Sequence, residues 1–159
     1  MAFLKYDEIF SRFYTRVTAY DFLDMDEALA KDYQTSWLQG AYSKPFVRRI
    51  FSEFAADDAY KEIEFELTNS IDESSDQSFV LEILSLGMAI EWLEPKVNSF
   101  LNIMPMVASK EEKFYSQANH LAELRNTLDY FKKAQRQLIV DRNSYYNGYL
   151  GGGDANGGV

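Results

Sequence analysis

Between Ser78 and Pro95 the chain reads SFVLEILSLGMAIEWLEP, with apolar Phe79, Ile83, Leu86, Ile90 and Leu93 at spacings of four, three, four and three. That rhythm is the seam of a helix packed against other helices. Val80, Leu81, Leu84, Met88, Ala89 and Trp92 fill the remaining directions, and a helix that is apolar nearly all round is an enclosed one. Glu82 and Glu91 interrupt it, and it falls short of the roughly 20 apolar residues of a membrane span. Gly87 at its centre costs about 1 kcal/mol against alanine, so the sequence predicts a close approach by another backbone there.

The 159 residues suit one domain with a core of its own, and the absence of cysteine removes disulfides, thiolate zinc sites and cysteine nucleophiles together. No signal for export opens the chain. From Glu53 to Glu82 lie ten carboxylates against a single lysine, Lys61, which equals the whole net charge of −9. Such a chain gains nothing from the counterion release that drives binding to phosphate backbones, so tight nucleic-acid binding is disfavoured. The 11 tyrosines and 12 phenylalanines exceed what one small core absorbs, and amphipathic aromatics suit protein interfaces.

Taken in order, Asp7 and Glu8 suit the positive start of a first helix, with Ile9, Phe10, Phe13, Tyr14 and Val17 on one face and Ser11, Arg12, Thr15 and Arg16 opposite. Asp21 to Asp26 reads as the start of a second helix, carried by Leu29, Tyr33, Trp37, Leu38 and Ala41 until Pro45 ends or kinks it. Phe46, Val47, Ile50, Phe51 and Phe54 look like a further helical turn or two. Ile63, Phe65 and Leu67 then alternate with Glu62, Glu64 and Glu66, a period of two that marks a short strand with one wet, acidic face. No second strand is evident in the chain, and since a lone strand is not stable it must pair with something, for which a neighbouring subunit is one candidate.

Ile71 to Gln77 reads as a loop or the first turn of the central helix. Met104 to Lys113 is expected to be a connecting loop, and Ser116 the cap of a last helix seamed by Leu121, Leu124, Leu128, Phe131 and Leu138, with Gln135 in one seam position. The fold class is therefore mainly α: a small helical bundle around a buried central helix, with one short strand or hairpin. Residues 1–144 form the helical domain and 145–159 an extended, glycine-rich C-terminal tail. Tyr145, Tyr146 and Tyr149 beside Gly148 suit a segment that orders on a partner.

The residues carry little chemistry. His120, the only histidine, has no nucleophile-elbow pattern near it, and the terminal glycines lack the helix and lysine of a phosphate-cradling loop. Glu91 with Glu94, and Glu73 with Asp76, have the three-residue spacing of the acidic pairs by which all-helical nucleotide pyrophosphohydrolases hold magnesium, and oxygen ligands suit that ion. This is the alternative, enzymatic reading. The main reading assigns no catalytic residue, cofactor or metal.

Three pieces together resemble the small head-tail connector (adaptor or neck) proteins of tailed bacteriophages: YDEIFSRF with YDFLDMDE, the central ILSLGMAIEWLEPKV, and SQANHLAELR followed by RNSYYNGYL. The resemblance implies an all-helical structural subunit of the virion, assembled in the host cytoplasm as a ring of commonly about twelve copies with head-to-tail interfaces. Beneath the portal protein the ring would extend the DNA channel, with DNA only as passing cargo, and dock the next neck or tail protein. A stopper or tail-completion role in the same neck is the neighbouring alternative. Carried onto this chain, the segment that reaches portal or a neighbouring subunit is Tyr145, Tyr146, Asn147, Gly148, Tyr149 and Leu150. Glu62, Glu64, Glu66, Asp72, Glu73 and Asp76 are the candidates to line the channel, where carboxylates would repel phosphate and let DNA slide.

Overall fold

The computed structural model describes residues 1–17, 26–107 and 111–144, with side chains at 1–17, 26–99 and 118–144. In chain order the elements are β1 (Ala2–Lys5), α1 (Tyr6–Tyr14), α2 (Glu27–Ser43), α3 (Pro45–Arg48), β2 (Phe51–Asp57), β3 (Glu62–Leu67), α4 (Glu73–Val107) and α5 (Glu111–Ser144). The fold is mostly helical with a small antiparallel sheet in the order β1-β3-β2. No helix among the described residues is long and apolar enough to cross a membrane.

The middle of α4 supplies much of the core. Val80, Ile83, Leu84, Leu86, Met88, Ala89, Ile90, Leu93 and Val97 are all buried, and α1, α2, α5 and β1 pack around them. Gly87 is where α2 comes closest. A Cβ on Gly87 would lie 2.6 Å from the Ala41 Cβ, 3.3 Å from the Ala41 Cα and 3.0 Å from Gln135 Nε2. That amide is buried and donates to the Ile83 carbonyl at 2.9 Å, so α5 inserts a polar group where the missing side chain leaves room. One turn away, a Cβ on Gly40 of α2 would sit 2.7 Å from Glu91 Oε2, the end of a flexible side chain that can move aside.

Helix α1 is tied to α4 by charge. Arg12 and Arg16 both pair with Glu82, and Arg16 Nε also donates to Ser85 Oγ at 3.2 Å. At its start Tyr6 is fully buried, its hydroxyl donating to Asp58 Oδ1 at 2.7 Å, while Gln39 Nε2 donates to Asp58 Oδ2 at 2.9 Å. Burial first, and the bond to Asp58 second, hold the Tyr6 hydroxyl protonated well above the usual phenol range.

The strand from Glu62 finds the pairing it requires within the chain, on both sides, and not from a neighbouring subunit. Ala2–Lys5 and Phe51–Asp57 flank it on either side. Phe51 and Phe54 thus belong to a strand and not to a helical turn; α3 is a single turn ended by Arg49. Asp57 Oδ1 accepts Ala59 N–H at 2.8 Å and Tyr60 N–H at 3.0 Å, shaping the turn, and Lys61 closes it in the left-handed region at φ 56°. Helix α4 starts at Glu73, the helical one of the two readings of Ile71 to Gln77, and it continues through Pro95 and Pro105, so most of the expected loop from Met104 is helical. Helix α5 begins at Glu111, which places Ser116 inside it rather than at its cap. Helix α2 starts at Glu27 with Asp26 as its cap, while residues 21–25 of the expected helix start and the tail after Ser144 lie outside the described residues.

Two substitutions test this packing. Gly87→Ala is expected to lower stability by about 1–3 kcal/mol through overlap with Ala41, and Ala41→Gly in the same chain to return part of the loss. Pro95 is exposed and lacks the amide hydrogen that would bond the Glu91 carbonyl, so Pro95→Ala is expected to raise stability by about 1–3 kcal/mol. Urea unfolding midpoints at unchanged slope measure both.

Candidate functional site

The most unusual surface is one face of the sheet. In an antiparallel ladder, residues directly opposite share a face. The register sets Glu66 opposite Glu53, Glu64 opposite Ala55 and Phe3, and Glu62 opposite Asp57 and Lys5. Ile63, Phe65 and Leu67 turn the other way and are buried. Five carboxylates therefore stand on one small face, with Lys5 the one cation in register with them. Glu53 facing Glu66 and Asp57 facing Glu62 are like charges directly across a strand pair, which costs stability. Phe3, 53 % exposed, and Tyr60, 79 % exposed, border this face.

The six carboxylates singled out from sequence divide into unlike environments. Glu64 and Glu66 are exposed on the sheet and Glu62 is half-buried beside them. Asp72 caps α4, its Oδ1 accepting Ser75 N–H at 2.8 Å, and Glu73 is exposed in the first turn. Glu66, Glu73 and Asp76 line one small cavity of about 160 Å³ with Met1, Ala2, Phe65 and Ser70, between the sheet and the start of α4. Asp76 is the exception: it is buried and pairs with Arg142, while Ser70 Oγ donates to its Oδ2 at 2.6 Å and Ile71 N–H to its Oδ1 at 3.1 Å. Among the described residues its charge is met inside the subunit, unlike that of the other five candidates.

Arg142 does more than neutralise Asp76. Its guanidinium also donates to the Asn69 carbonyl at 3.3 Å and lies 4.7 Å from the Phe79 ring centroid, and Asn69 Nδ2 donates to Asn143 Oδ1 at 3.0 Å. The last turn of α5 is thereby fastened to the corner between β3 and α4. The chain leaves that corner toward Tyr145, Tyr146, Asn147, Gly148, Tyr149 and Leu150, all outside the described residues.

The paired carboxylates of the enzymatic reading do not converge. Eighteen residues of helix separate Glu73 from Glu91, about 27 Å at 1.5 Å per residue. Glu91 lies 2.8 Å from Lys44 Nζ and Glu94 lies 3.0 Å from Lys132 Nζ, so each faces an ammonium. These four line a cleft of about 210 Å³ with Phe46, Gln135 and Arg136. The Lys44 ammonium is held above its usual range by the bond it donates to Glu91. No group of three or more metal-ligating side chains forms among the described residues, and His120 lies exposed on α5. The lysines of this cleft come from the junction of α2 and α3 and from α5, and nothing in sequence spacing points to their meeting.

Arg142→Met is expected to cost about 3–5 kcal/mol by leaving the Asp76 charge buried without its cation, held only by Ser70 and the Ile71 amide. Asp76→Asn in the same chain is expected to recover part of that, measured by chemical denaturation as a double-mutant cycle.

Compared with protein-family models, curated proteins and solved structures, the chain finds no match.

Proposed function

We propose that this chain is a structural subunit of the neck of a tailed phage, a head-tail connector that forms a ring under the portal. The observation that carries the reading is the sheet face on which Glu53, Asp57, Glu62, Glu64 and Glu66 stand together. Cross-strand carboxylate pairs lower the stability of the subunit that holds them. Asp57 also shapes the turn, but the side chains of Glu53, Glu62, Glu64 and Glu66 add no hydrogen bond or ion pair to the subunit among the described residues, so we take their use to be external. A channel through which DNA slides is such a use, because a negative wall at close range keeps phosphate from adhering. Glu64, Glu66 and Glu73 are the lining residues of this proposal, with Glu62 and Asp72 at its edge.

The finer architecture follows from the same reading. Helix α4 acts as the buried organising helix of a small bundle, and residues 145–159 as an extended tail that seeks a partner. Met1, Phe3, Ile71, Tyr130 and Val140, each more than half exposed, provide apolar surface that head-to-tail neighbours would cover. Residues Tyr145 to Leu150 are then the segment offered to portal or to a neighbour, the location is the head-tail junction of the virion, and no catalysis is involved.

Electron microscopy of the protein mixed with purified portal tests the reading. Rings on the portal with Glu64 and Glu66 at the lumen are the expected result, and density placing both on the outer circumference would remove the channel assignment. A chain ending at Ser144 is expected to keep its helix content by circular dichroism yet lose co-sedimentation with portal. Undiminished co-sedimentation would remove the role given to the tail.

A further inference from the structure

The two edges of the sheet are not alike. Tyr6 N–H donates to the Lys61 carbonyl at 2.9 Å, and by the alternation of an antiparallel ladder Leu4 and Ala2 then bond to Ile63 and Phe65. Phe3 and Lys5 accordingly turn their main-chain groups away from β3. Two of those groups are already met: Gln77 Nε2 donates to the Phe3 carbonyl at 3.2 Å, and Lys5 N–H donates to Glu8 Oε2 at 2.9 Å. The β1 edge is largely closed.

On the other side, Thr68 N–H donates to the Ile50 carbonyl at 2.9 Å, and the same alternation points Glu62, Glu64 and Glu66 at Asp57, Ala55 and Glu53. Phe54 and Ala56 must direct their N–H and C=O groups outward. Among the described residues only Arg48 reaches them, with its guanidinium 3.5 Å from the Phe54 carbonyl, at the weak limit of a hydrogen bond, and 4.2 Å from the Phe54 ring centroid. An unpaired strand edge of this kind is a template for another extended chain.

We propose that the open edge of β2 is a docking site for an extended segment of another protein in which basic and apolar residues alternate. Main-chain bonds to Phe54 and Ala56 would give affinity, and the two faces of the strand would give specificity. One face of the incoming strand meets half-buried Phe54 and Ala56, with Tyr42 packed on Phe54 at 5.1 Å between ring centroids. The other meets Glu53 and Asp57, both exposed. A second copy of β2 is the wrong occupant, since antiparallel self-pairing sets Glu53 and Asp57 of one copy against those of the other. The tail of this chain is also wrong, because residues 145–159 carry no lysine or arginine. Charge complementarity selects a foreign, basic strand. The site stands whether or not the chain forms a ring, since it uses Glu53 and Asp57 and leaves Glu64 and Glu66 uncovered.

The test is amide hydrogen exchange on the full chain, with a short peptide alternating lysine and valine as the probe and one alternating glutamate and valine as the control. The lysine peptide is expected to slow exchange at Phe54 and Ala56 by about tenfold or more, and the glutamate peptide to leave both unchanged. Ala56→Pro removes an outward N–H without breaking the ladder to β3, so it is expected to keep the circular dichroism spectrum and abolish the effect. Glu53→Lys keeps the edge but reverses its charge, and is expected to weaken the lysine peptide and admit the glutamate one. Unchanged exchange at Phe54 and Ala56 with saturating lysine peptide, or equal protection by both peptides, overturns the proposal.

Discussion

The amide of Gln135 reaching the Ile83 carbonyl through the gap at Gly87 sets the register of the helical layer. An apolar seam such as Leu121, Leu128 and Phe131 tolerates a slide along the partner helix, because the next turn presents similar side chains. A buried amide does not, since leaving it without an acceptor costs about 1–3 kcal/mol. Seven residues further along α5, Arg142 finds Asp76, seven residues back along α4 from Ile83. The antiparallel pair is therefore pinned at two polar points two turns apart. Sliding α5 by one turn would strand both, together with the Lys132 ammonium that faces Glu94. The close approach of α2 at Gly40 and Ala41 depends on the same small residues, so the three helices share one point of contact.

Much of this was legible in the sequence where periodicity ran long enough to be seen. The seam from Phe79 to Leu93, the alternation from Glu62 to Leu67, and the need for a close approach at Gly87 all follow from spacing or from a single costly residue. The flanking strands were not legible, for physical reasons. Ala2–Lys5 spans four residues, too few to establish a period. In Phe51–Asp57 a register shift at Ser52 breaks the alternation, which leaves Phe51 and Phe54 three apart as on a helix face. The far end of α4 was placed too early because a proline ordinarily stops a helix, whereas Pro105 lies within this one. Among the candidate residues, Asp76 is separated by 66 positions from the arginine that buries its charge. No local pattern distinguishes it from Glu73, three residues earlier and open to solvent.

The carboxylates of the acidic stretch thus do three different things. Asp58 and Asp76 are internal acceptors, one holding Tyr6 and Gln39, the other holding Arg142 and Ser70. Asp57 and Asp72 shape a turn and a helix start. The remaining glutamates of β2 and β3 make no comparable internal contact among the described residues; the sheet presents them in register and bears their mutual repulsion. Composition alone reports a single block of negative charge. The structure separates charge that stabilises the fold from charge that is available to something outside it.

How far that available charge acts is set by screening. At physiological ionic strength the Debye length is about 8 Å, while side chains directly opposite on paired strands stand about 5 Å apart. The glutamates of one sheet therefore feel one another almost unscreened, and a phosphate backbone feels them only when it comes nearly into contact. In the proposed ring, neighbouring copies would contribute their own short-range patches in place of one field filling the channel. A wall of this kind leaves DNA at the centre of a wide lumen unaffected and repels it only where it drifts to the side. The same range separates the two uses suggested for the sheet. A basic strand on the β2 edge lies two strand spacings, about 9.6 Å, from β3. It would compensate Glu53 and Asp57 while leaving the charge at Glu64 and Glu66 largely in place.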